Sequence, residues 1–321
     1  MSDPAPTPRS LSERSETKRP HATAEHLPRS LSERSETKRP PARVGVLGGG
    51  RMGAGIAHAF LLAGSHVTVV ERDDASADAA ADRIDDSIRR SAERDASLDG
   101  TALRSRLTTG TDISAFGECD LVIEAVPEDR DLKEQSLARA EAAMPAHATL
   151  ASNTSSISID DLAATRLRPE RVLGLHFFNP VPASALVEIV HGTATAPDVT
   201  ESARDWVAAL GKTPIVVRDS PGFASSRLGV MLGLEAIRML EEGVASAADI
   251  DAAMTLGYRH PTGPLRTTDI VGLDVRLGIA EELERAFGER FAPPELLRRM
   301  VAEGRLGRKS GRGFYEWNEE R

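Results

Sequence analysis

From residue 43 onward, short apolar runs alternate with longer amphipathic stretches. The runs have the length and composition of buried strands and fall at 43–47, 66–71, 120–126, 148–152, 171–176 and 186–190. Helical stretches are predicted between them near 54–63, 130–143 and 157–164. Strands that alternate with helices in this way indicate an α/β fold with a doubly wound, mostly parallel sheet.

From Gly222 the pattern changes to helices alone, predicted over 222–243, 246–256, 265–287 and 294–303. The first of these carries an apolar stripe in steps of three and four residues, interrupted by Glu235 and formed by Leu228, Met231, Leu232 and Met239. An all-helical part with this excess of apolar surface is expected either to pack against the sheet or to form a dimer interface.

The first forty residues have a different character. The thirteen-residue segment at 8–20 recurs identically at 28–40, and large apolar side chains are nearly absent. Such a segment cannot offset the entropy of ordering by burial. We expect residues 1–40 to be a disordered extension outside the fold, with a regulatory or partner-binding tail as the alternative.

Charge and composition exclude several classes of protein. The net charge is −9, and residues 1–40 contain eight Lys or Arg against six Asp or Glu, so the remainder carries −11. An acidic body argues against a nucleic-acid-binding protein. No apolar run is long enough for a membrane span or a signal peptide, and the single cysteine, Cys119, excludes an internal disulfide framework. These features predict a cytoplasmic protein, and we predict no metal site.

A glycine turn separates the first predicted strand from the first helix, in the order that a Rossmann unit requires. Gly48 permits the tight turn, Gly50 lets a pyrophosphate approach the backbone, and Gly53 allows the helix to pack on the strand. Amides at the helix start then face the phosphates. The predicted cofactor contacts here are Gly48, Gly50, Arg51, Met52 and Gly53.

The second strand ends in Glu71, about 20 residues beyond the turn, where an acid accepts hydrogen bonds from a ribose. Its charge would repel a 2′-phosphate, which favours NAD over NADP, although Arg72 would soften that preference. A solvated strand-end carboxylate is the alternative reading. We therefore expect a Rossmann-type NAD-binding domain over 41–219, followed by an all-helical domain for substrate binding and dimerisation over 220–321.

Polar residues follow four of the predicted strands, at the carboxyl ends where such sheets bind ligands. Among them, His176 ends an apolar strand, and Glu188 lies twelve residues further on inside another. Histidine suits proton abstraction from an alcohol at neutral pH, and a buried acid needs a partner. Glu188 would orient the ring and stabilise the imidazolium. Hydrogen-bonded scaffolding for His176 and a solvent-facing Glu188 on an edge strand are the alternatives.

Six ordered motifs between about 43 and 317 resemble the L-3-hydroxyacyl-CoA dehydrogenases, especially the bacterial 3-hydroxybutyryl-CoA dehydrogenases. They include the glycine turn, Ala-Ser-Asn-Thr-Ser-Ser, Gly-Leu-His-Phe-Phe-Asn-Pro-Val-Pro and Asp-Ser-Pro-Gly-Phe, and further on His-Pro-Thr-Gly-Pro and Gly-Arg-Lys-Ser-Gly-Arg-Gly-Phe-Tyr. The resemblance implies a homodimer that joins through the C-terminal helices.

The resemblance also implies roles for individual residues. His176 is the base and Glu188 its partner, Ser155 contacts the substrate oxygen, and Asn179 positions substrate and nicotinamide. The implied NAD contacts outside the glycine turn are Glu128, Lys133 and Lys309, with Ser155 and Asn179 beside the nicotinamide. The implied CoA contacts, on the long polar helix after Glu71, are Ser87 and Arg94; charged surface of a solvated helix is the alternative for these two.

Ser226 departs from the pattern, because the family usually has Asn immediately before the arginine at 227. A serine reaches less far and offers one hydroxyl in place of the two donors of an amide. The expected function is reversible NAD-dependent oxidation of an (S)-3-hydroxyacyl-CoA, with a short chain such as 3-hydroxybutyryl. Ser226 is predicted to contact the substrate. Alternatives are a dehydrogenase of a carrier-protein thioester or free hydroxy acid, which the change at Ser226 permits, and a non-catalytic NAD-binding sensor.

Overall fold

A computed structural model describes residues 38–317, so nearly all of the predicted extension lies outside the described residues. One eight-stranded sheet runs in the order β3-β2-β1-β4-β5-β6-β7-β8. The strands are β1 (Arg43–Leu47), β2 (His66–Val70), β3 (Leu107–Gly110), β4 (Leu121–Glu124), β5 (Thr149–Ser152), β6 (Val172–Phe177), β7 (Leu186–His191) and β8 (Thr213–Arg218). All neighbours are parallel except β6 and β7, which confirms the mostly parallel, Rossmann-type sheet.

Two strands, β3 and β8, were not predicted from the sequence. The first has a single large apolar residue, Leu107, and the second begins with a threonine and Pro214 and is only half-buried. Neither has the short, wholly apolar character of a central strand. Both lie at an edge of the sheet, where burial on two faces is incomplete.

Eleven α-helices lie in the described residues. They are α1 (Arg51–Ala63), α2 (Asp74–Arg94), α3 (Gly100–Arg104), α4 (Arg130–Ala143), α5 (Ile159–Ala164), α6 (Pro197–Ala209), α7 (Ser225–Glu241), α8 (Ala247–Ala252), α9 (Pro264–Val271), α10 (Leu273–Phe287) and α11 (Glu295–Ala302). None of these helices has the length and apolar character needed to cross a membrane.

One helix prediction is wrong, and a second is confirmed with a difference in its last turn. The single helix expected over 265–287 is broken at Gly272, whose φ of +108° no helix accommodates, so α9 and α10 form separately. The helix expected over 246–256 does begin at its predicted cap, because the Ser246 side chain accepts from the amide of Asp249, but it continues as a π-helical turn over Ala253–Gly257.

Each face of the sheet buries its own hydrophobic cluster, and the C-terminal helices form a third. Val46 and Ile56 belong to the cluster beneath α1 and α2, whereas Leu137 and Leu150 belong to the one beneath α4 and α5. The third cluster joins α7 to α9, α10 and α11 around Leu234. The sheet is therefore packed on both faces. The carboxyl ends of its parallel strands β1, β2, β4, β5 and β6 lie together at one edge.

Candidate active site

The glycine turn between β1 and α1 has the backbone geometry that a dinucleotide requires. Gly48 has a φ of +95°, and a Cβ on Gly53 would lie 1.8 Å from the carbonyl oxygen of Gly48. A Cβ on Gly50 would meet no atom within 4 Å, so this backbone faces open space at the start of α1. Free amides at a helix start attract anions. The turn fits the diphosphate of NAD, with Arg51 and Met52 as the first residues of α1.

Glu71 lies immediately after β2, beside this turn. Its Oε1 accepts a hydrogen bond of 2.6 Å from the amide of Gly49, which ties the acid to the glycine turn. The Arg72 guanidinium turns away and pairs with Asp73 at 3.0 Å. Arg72 therefore does not neutralise the carboxylate of Glu71. The uncompensated negative charge favours a ribose with a free 2′-hydroxyl over one that carries a 2′-phosphate.

Replacing Glu71 with Gln should weaken the discrimination against NADP. Glutamine keeps a carbonyl oxygen for the Gly49 amide and removes the charge that repels a 2′-phosphate. We expect the ratio of kcat/KM for NAD over NADP to fall roughly tenfold, since one charge-assisted contact contributes about 1.5 kcal/mol or more. Steady-state kinetics with both cofactors measure the ratio, and an unchanged ratio would show that Glu71 does not select the cofactor.

The antiparallel pairing of β6 and β7 places His176 directly opposite Glu188. The ring Nδ1 and the carboxylate Oε2 are 2.7 Å apart, and Glu188 is completely buried. Because β7 lies between β6 and β8, Glu188 is not on an edge strand, which excludes the solvent-facing alternative. Phe178 and Phe223 wall the imidazole, with ring centroids 4.5 and 5.7 Å from it.

The first turn of α7 holds Glu188 from the other side. The amides of Ala224 and Ser225 donate to Oε1 at 3.2 and 2.9 Å, and the Ser225 hydroxyl donates to Oε2 at 2.7 Å. Burial alone would raise the pKa of Glu188, but the hydrogen bonds from His176 and Ser225 outweigh it and lower the pKa. Glu188 is therefore held as a carboxylate. Ser226 was predicted as a site residue from the sequence, whereas its neighbour Ser225 was not.

Glu128 organises the loop that follows β5. Its Oε1 accepts from the amides of Ser155 and Ser156 at 3.0 and 3.1 Å and from the Thr154 hydroxyl at 2.5 Å. Burial opposes ionisation, but nearby Lys133 and these donors outweigh it and lower the pKa of Glu128. Two predicted site residues, Glu128 and Ser155, thus lie in direct contact, with the Ser155 hydroxyl 3.5 Å from the carboxylate.

Beneath this loop lies a buried ion pair that sequence analysis missed. The Lys133 ammonium is 2.8 Å from Glu124 and 3.2 Å from Glu128. Glu124 also accepts from the Ser152 hydroxyl at 2.5 Å, and both members of the Glu124–Lys133 pair are almost wholly buried. Lys133 therefore lies against Glu128, which is another of the predicted cofactor contacts.

The remaining predicted residues lie around and beyond this centre. Asn179 is exposed just after β6, and Ser226 is half-buried in the first turn of α7. On α2, the Ser87 hydroxyl donates to the carbonyl of Arg83, and Arg94 is exposed at the helix end. The Lys309 ammonium pairs with Asp274 at 2.6 Å, beside Gly272 at the junction of α9 and α10.

A Rossmann sheet whose glycine turn fits NAD, with a buried His–Glu pair close to the carboxyl ends of its strands, defines an NAD-dependent oxidoreductase. Residues 43–220 match the NAD-binding domain of 3-hydroxyacyl-CoA dehydrogenase, and residues 222–317 match the C-terminal domain of the same family. The chain belongs to the 3-hydroxyacyl-CoA dehydrogenase family, and its cofactor is NAD.

Individual relatives agree with this assignment. The chain is 43% identical over 280 residues to a 3-hydroxybutyryl-CoA dehydrogenase of Mycobacterium tuberculosis, which covers 86% of this chain and 98% of the relative. It is 42% identical over 299 residues to a 3-hydroxyadipyl-CoA dehydrogenase of Escherichia coli, covering 87% and 59%. The crystal structure of (S)-3-hydroxybutyryl-CoA dehydrogenase from Ralstonia eutropha matches with a TM-score of 0.83 at 39% identity, covering 87% of this chain and all of that one.

Proposed function

We propose that this protein reversibly oxidises short-chain (S)-3-hydroxyacyl-CoA, such as 3-hydroxybutyryl-CoA, to the 3-ketoacyl-CoA. The observation that carries the proposal is the 2.7 Å contact between His176 and a fully buried Glu188 at the sheet edge that also presents the glycine turn. A base beside the nicotinamide site is what alcohol oxidation requires.

His176 acts as the general base. Its Nδ1 donates to the Glu188 carboxylate, so the neutral ring presents an unprotonated Nε2 to the substrate hydroxyl. Glu188 is itself fixed by α7 and stabilises the imidazolium that forms. The aromatic walls around the ring exclude water from the proton transfer. When bound, NAD supplies the acceptor for the hydride that leaves C3.

Other residues position the reactants. Ser155, on the loop organised by Glu128, donates to the substrate oxygen, and Asn179 orients the substrate and the nicotinamide. The glycine turn and Glu71 hold the adenosine diphosphate part of NAD, and the neighbouring Glu128 and Lys133 also contact the cofactor. Ser226 borders the acyl group, Ser87 and Arg94 contact the CoA moiety, and Lys309 completes the NAD site.

A panel of substrates tests the proposal. We expect NAD-dependent turnover of (S)-3-hydroxybutyryl-CoA, with kcat/KM reduced at least tenfold for the pantetheine thioester and further for the free hydroxy acid, because each lacks contacts that the full substrate makes. NADH formation is followed by absorbance. Turnover of the free acid at a rate equal to that of the CoA thioester would favour the alternative substrates, and tight NADH binding without any turnover would favour a sensor.

A homodimer in the cytoplasm is part of the proposal. Large apolar side chains of the C-terminal helices are exposed in the single chain, including Leu228, Leu256, Tyr258 and Val275. Leu228 belongs to the apolar stripe of α7, which therefore does not pack against the sheet at this position. Apolar surface of this extent is typical of a subunit interface. Cys119 is a free, buried thiol, and a chain with a single cysteine suits a reducing compartment.

A further inference from the structure

The loop that joins β6 to β7 carries side chains of the candidate active site and has little burial of its own. It covers residues 178–185, begins with Phe178 against the His176 ring at 4.5 Å and continues with the exposed Asn179. Val181 is the only buried residue of this loop. The two prolines of the loop have no amide hydrogen, so few donors remain to fix its own backbone. Contacts with neighbouring elements must therefore determine where the loop lies.

Lys212, between α6 and β8, binds the backbone of this loop at two points. Its ammonium donates to the carbonyl oxygens of Val181 at 2.6 Å and Ser184 at 2.5 Å. An ammonium has three donors and no acceptor, and a lysine removed from water is usually paired with an acid. Burial is the one influence that shifts the pKa of Lys212, and it lowers that pKa, so no carboxylate of residues 38–317 compensates the desolvation. The two carbonyl oxygens of the loop compensate it instead.

Two further contacts fix the loop from its other sides. The Val181 side chain packs on α1, where a Cβ on Gly55 would lie 2.9 Å from the Val181 Cβ. At the start of the loop, the amide of Phe177, the residue after the catalytic histidine, donates to Oδ1 of Asn153 at 2.9 Å. The loop is thus held against the helix that follows the glycine turn and against the strand that carries the imidazole. Lys212 joins the middle of the loop to its end.

We propose that Lys212 is a positioning residue for the oxidation and acts through the 178–185 loop. By binding two carbonyl oxygens of the loop, the ammonium keeps Phe178 against the imidazole and Asn179 beside the substrate and the nicotinamide. This inference rests on the proposed function and adds to it a residue that acts on the reaction only through its hold on the loop.

A positioning role fits this location better than a role in stability alone. Most of the loop is exposed, so its contacts add little apolar burial to the fold. Charge-assisted hydrogen bonds are about twice as strong as neutral ones, and the two at Lys212 span the turn that follows Asn179. A misplacement of about 1 Å can lower a rate by roughly 10²-fold, because the reacting atoms must be aligned. A small displacement of the loop is therefore expected to affect turnover before it affects folding.

Substitution of Lys212 in the full chain tests the inference, with (S)-3-hydroxybutyryl-CoA and NAD as substrates. Lys212→Met should lower kcat roughly 10- to 100-fold and leave the affinity for ADP-ribose within about twofold, because ADP-ribose lacks the nicotinamide and is held by the glycine turn and Glu71. Lys212→Arg keeps the charge and the donors and should recover most of the lost rate. Lys38→Met, which breaks an exposed ion pair with Asp205, is the matched control and should keep the wild-type kcat. Steady-state kinetics give kcat, and calorimetric titration gives the affinity and stoichiometry of ADP-ribose.

The outcomes separate positioning from stability. A kcat of Lys212→Met within about twofold of the wild type would overturn the inference, whatever the effect on urea denaturation, and would leave the proposed function standing. A fall in kcat matched by an equal fall in the fraction of protein that binds ADP-ribose would assign Lys212 to the fold alone and would also overturn it. If the wild type itself does not turn over the thioester, the proposed function fails and the inference fails with it. If Lys212→Met does not fold, Lys212→Gln, which keeps an amide donor in the half-exposed position, is judged by the same outcomes.

Discussion

Replacing His176 with Gln should lower kcat for 3-hydroxybutyryl-CoA by about 10²- to 10⁴-fold, with the affinity for NAD nearly unchanged. Glutamine is close in size to histidine and fills the space between Phe178 and Phe223, but an amide cannot accept the hydroxyl proton at neutral pH. The cofactor turn lies on another strand, so binding of the dinucleotide is preserved. Steady-state kinetics give kcat, and fluorescence titration gives the affinity for NADH.

Two further variants interpret that result. Glu188→Gln leaves the imidazole in place and removes the charge that stabilises the imidazolium. It should therefore lower kcat, and saturating substrate should not recover the lost rate. His147→Gln, at an exposed position in the connection between α4 and β5, should behave as the wild type. If turnover of the His176 variant stays within tenfold of the wild type, His176 is not the base.

Much of the candidate active site was predictable because the carboxyl ends of parallel strands lie at the same edge of a sheet. Glu71 and His176 follow apolar runs that could be recognised from the sequence, and their order along the chain placed them at that edge. The pairing of His176 with Glu188 could not be predicted from their spacing alone. A separation of twelve residues is compatible with several registers between two neighbouring strands. The observed antiparallel register of β6 and β7 brings the two side chains opposite one another.

Other parts of the site depend on tertiary contacts that no local pattern reveals. Ser225 reaches Glu188 across 37 residues of sequence, and only the docking of α7 against β7 brings them together. Lys133 occurs at a helical position where an exposed cation is the usual expectation, yet the α4 packing turns it inward to Glu124. Arg276 likewise occurs on an amphipathic helix, and only the folded structure shows that its Nε is buried without a hydrogen-bond partner among residues 38–317.

Replacing Lys133 with Met should lower the free energy of unfolding by about 3–5 kcal/mol, the usual effect of removing one partner from a buried ion pair. Glu124 would remain fully buried and would keep only neutral donors, from the Ser152 hydroxyl and the Val126 amide. The loss of the ammonium 3.2 Å from Glu128 should also loosen the loop that carries Ser155, so KM for the thioester should rise. Urea denaturation at neutral pH measures the stability.

A double-mutant cycle separates the ion pair from simple loss of packing. Combining Lys133→Met with Glu124→Gln removes both charges, so the double variant should be more stable than the sum of the single effects predicts. Arg204→Met, which breaks a solvent-exposed pair with Glu201, should leave the denaturation midpoint close to that of the wild type. If the effects of the two buried substitutions are simply additive, the Glu124 and Lys133 side chains are not energetically coupled.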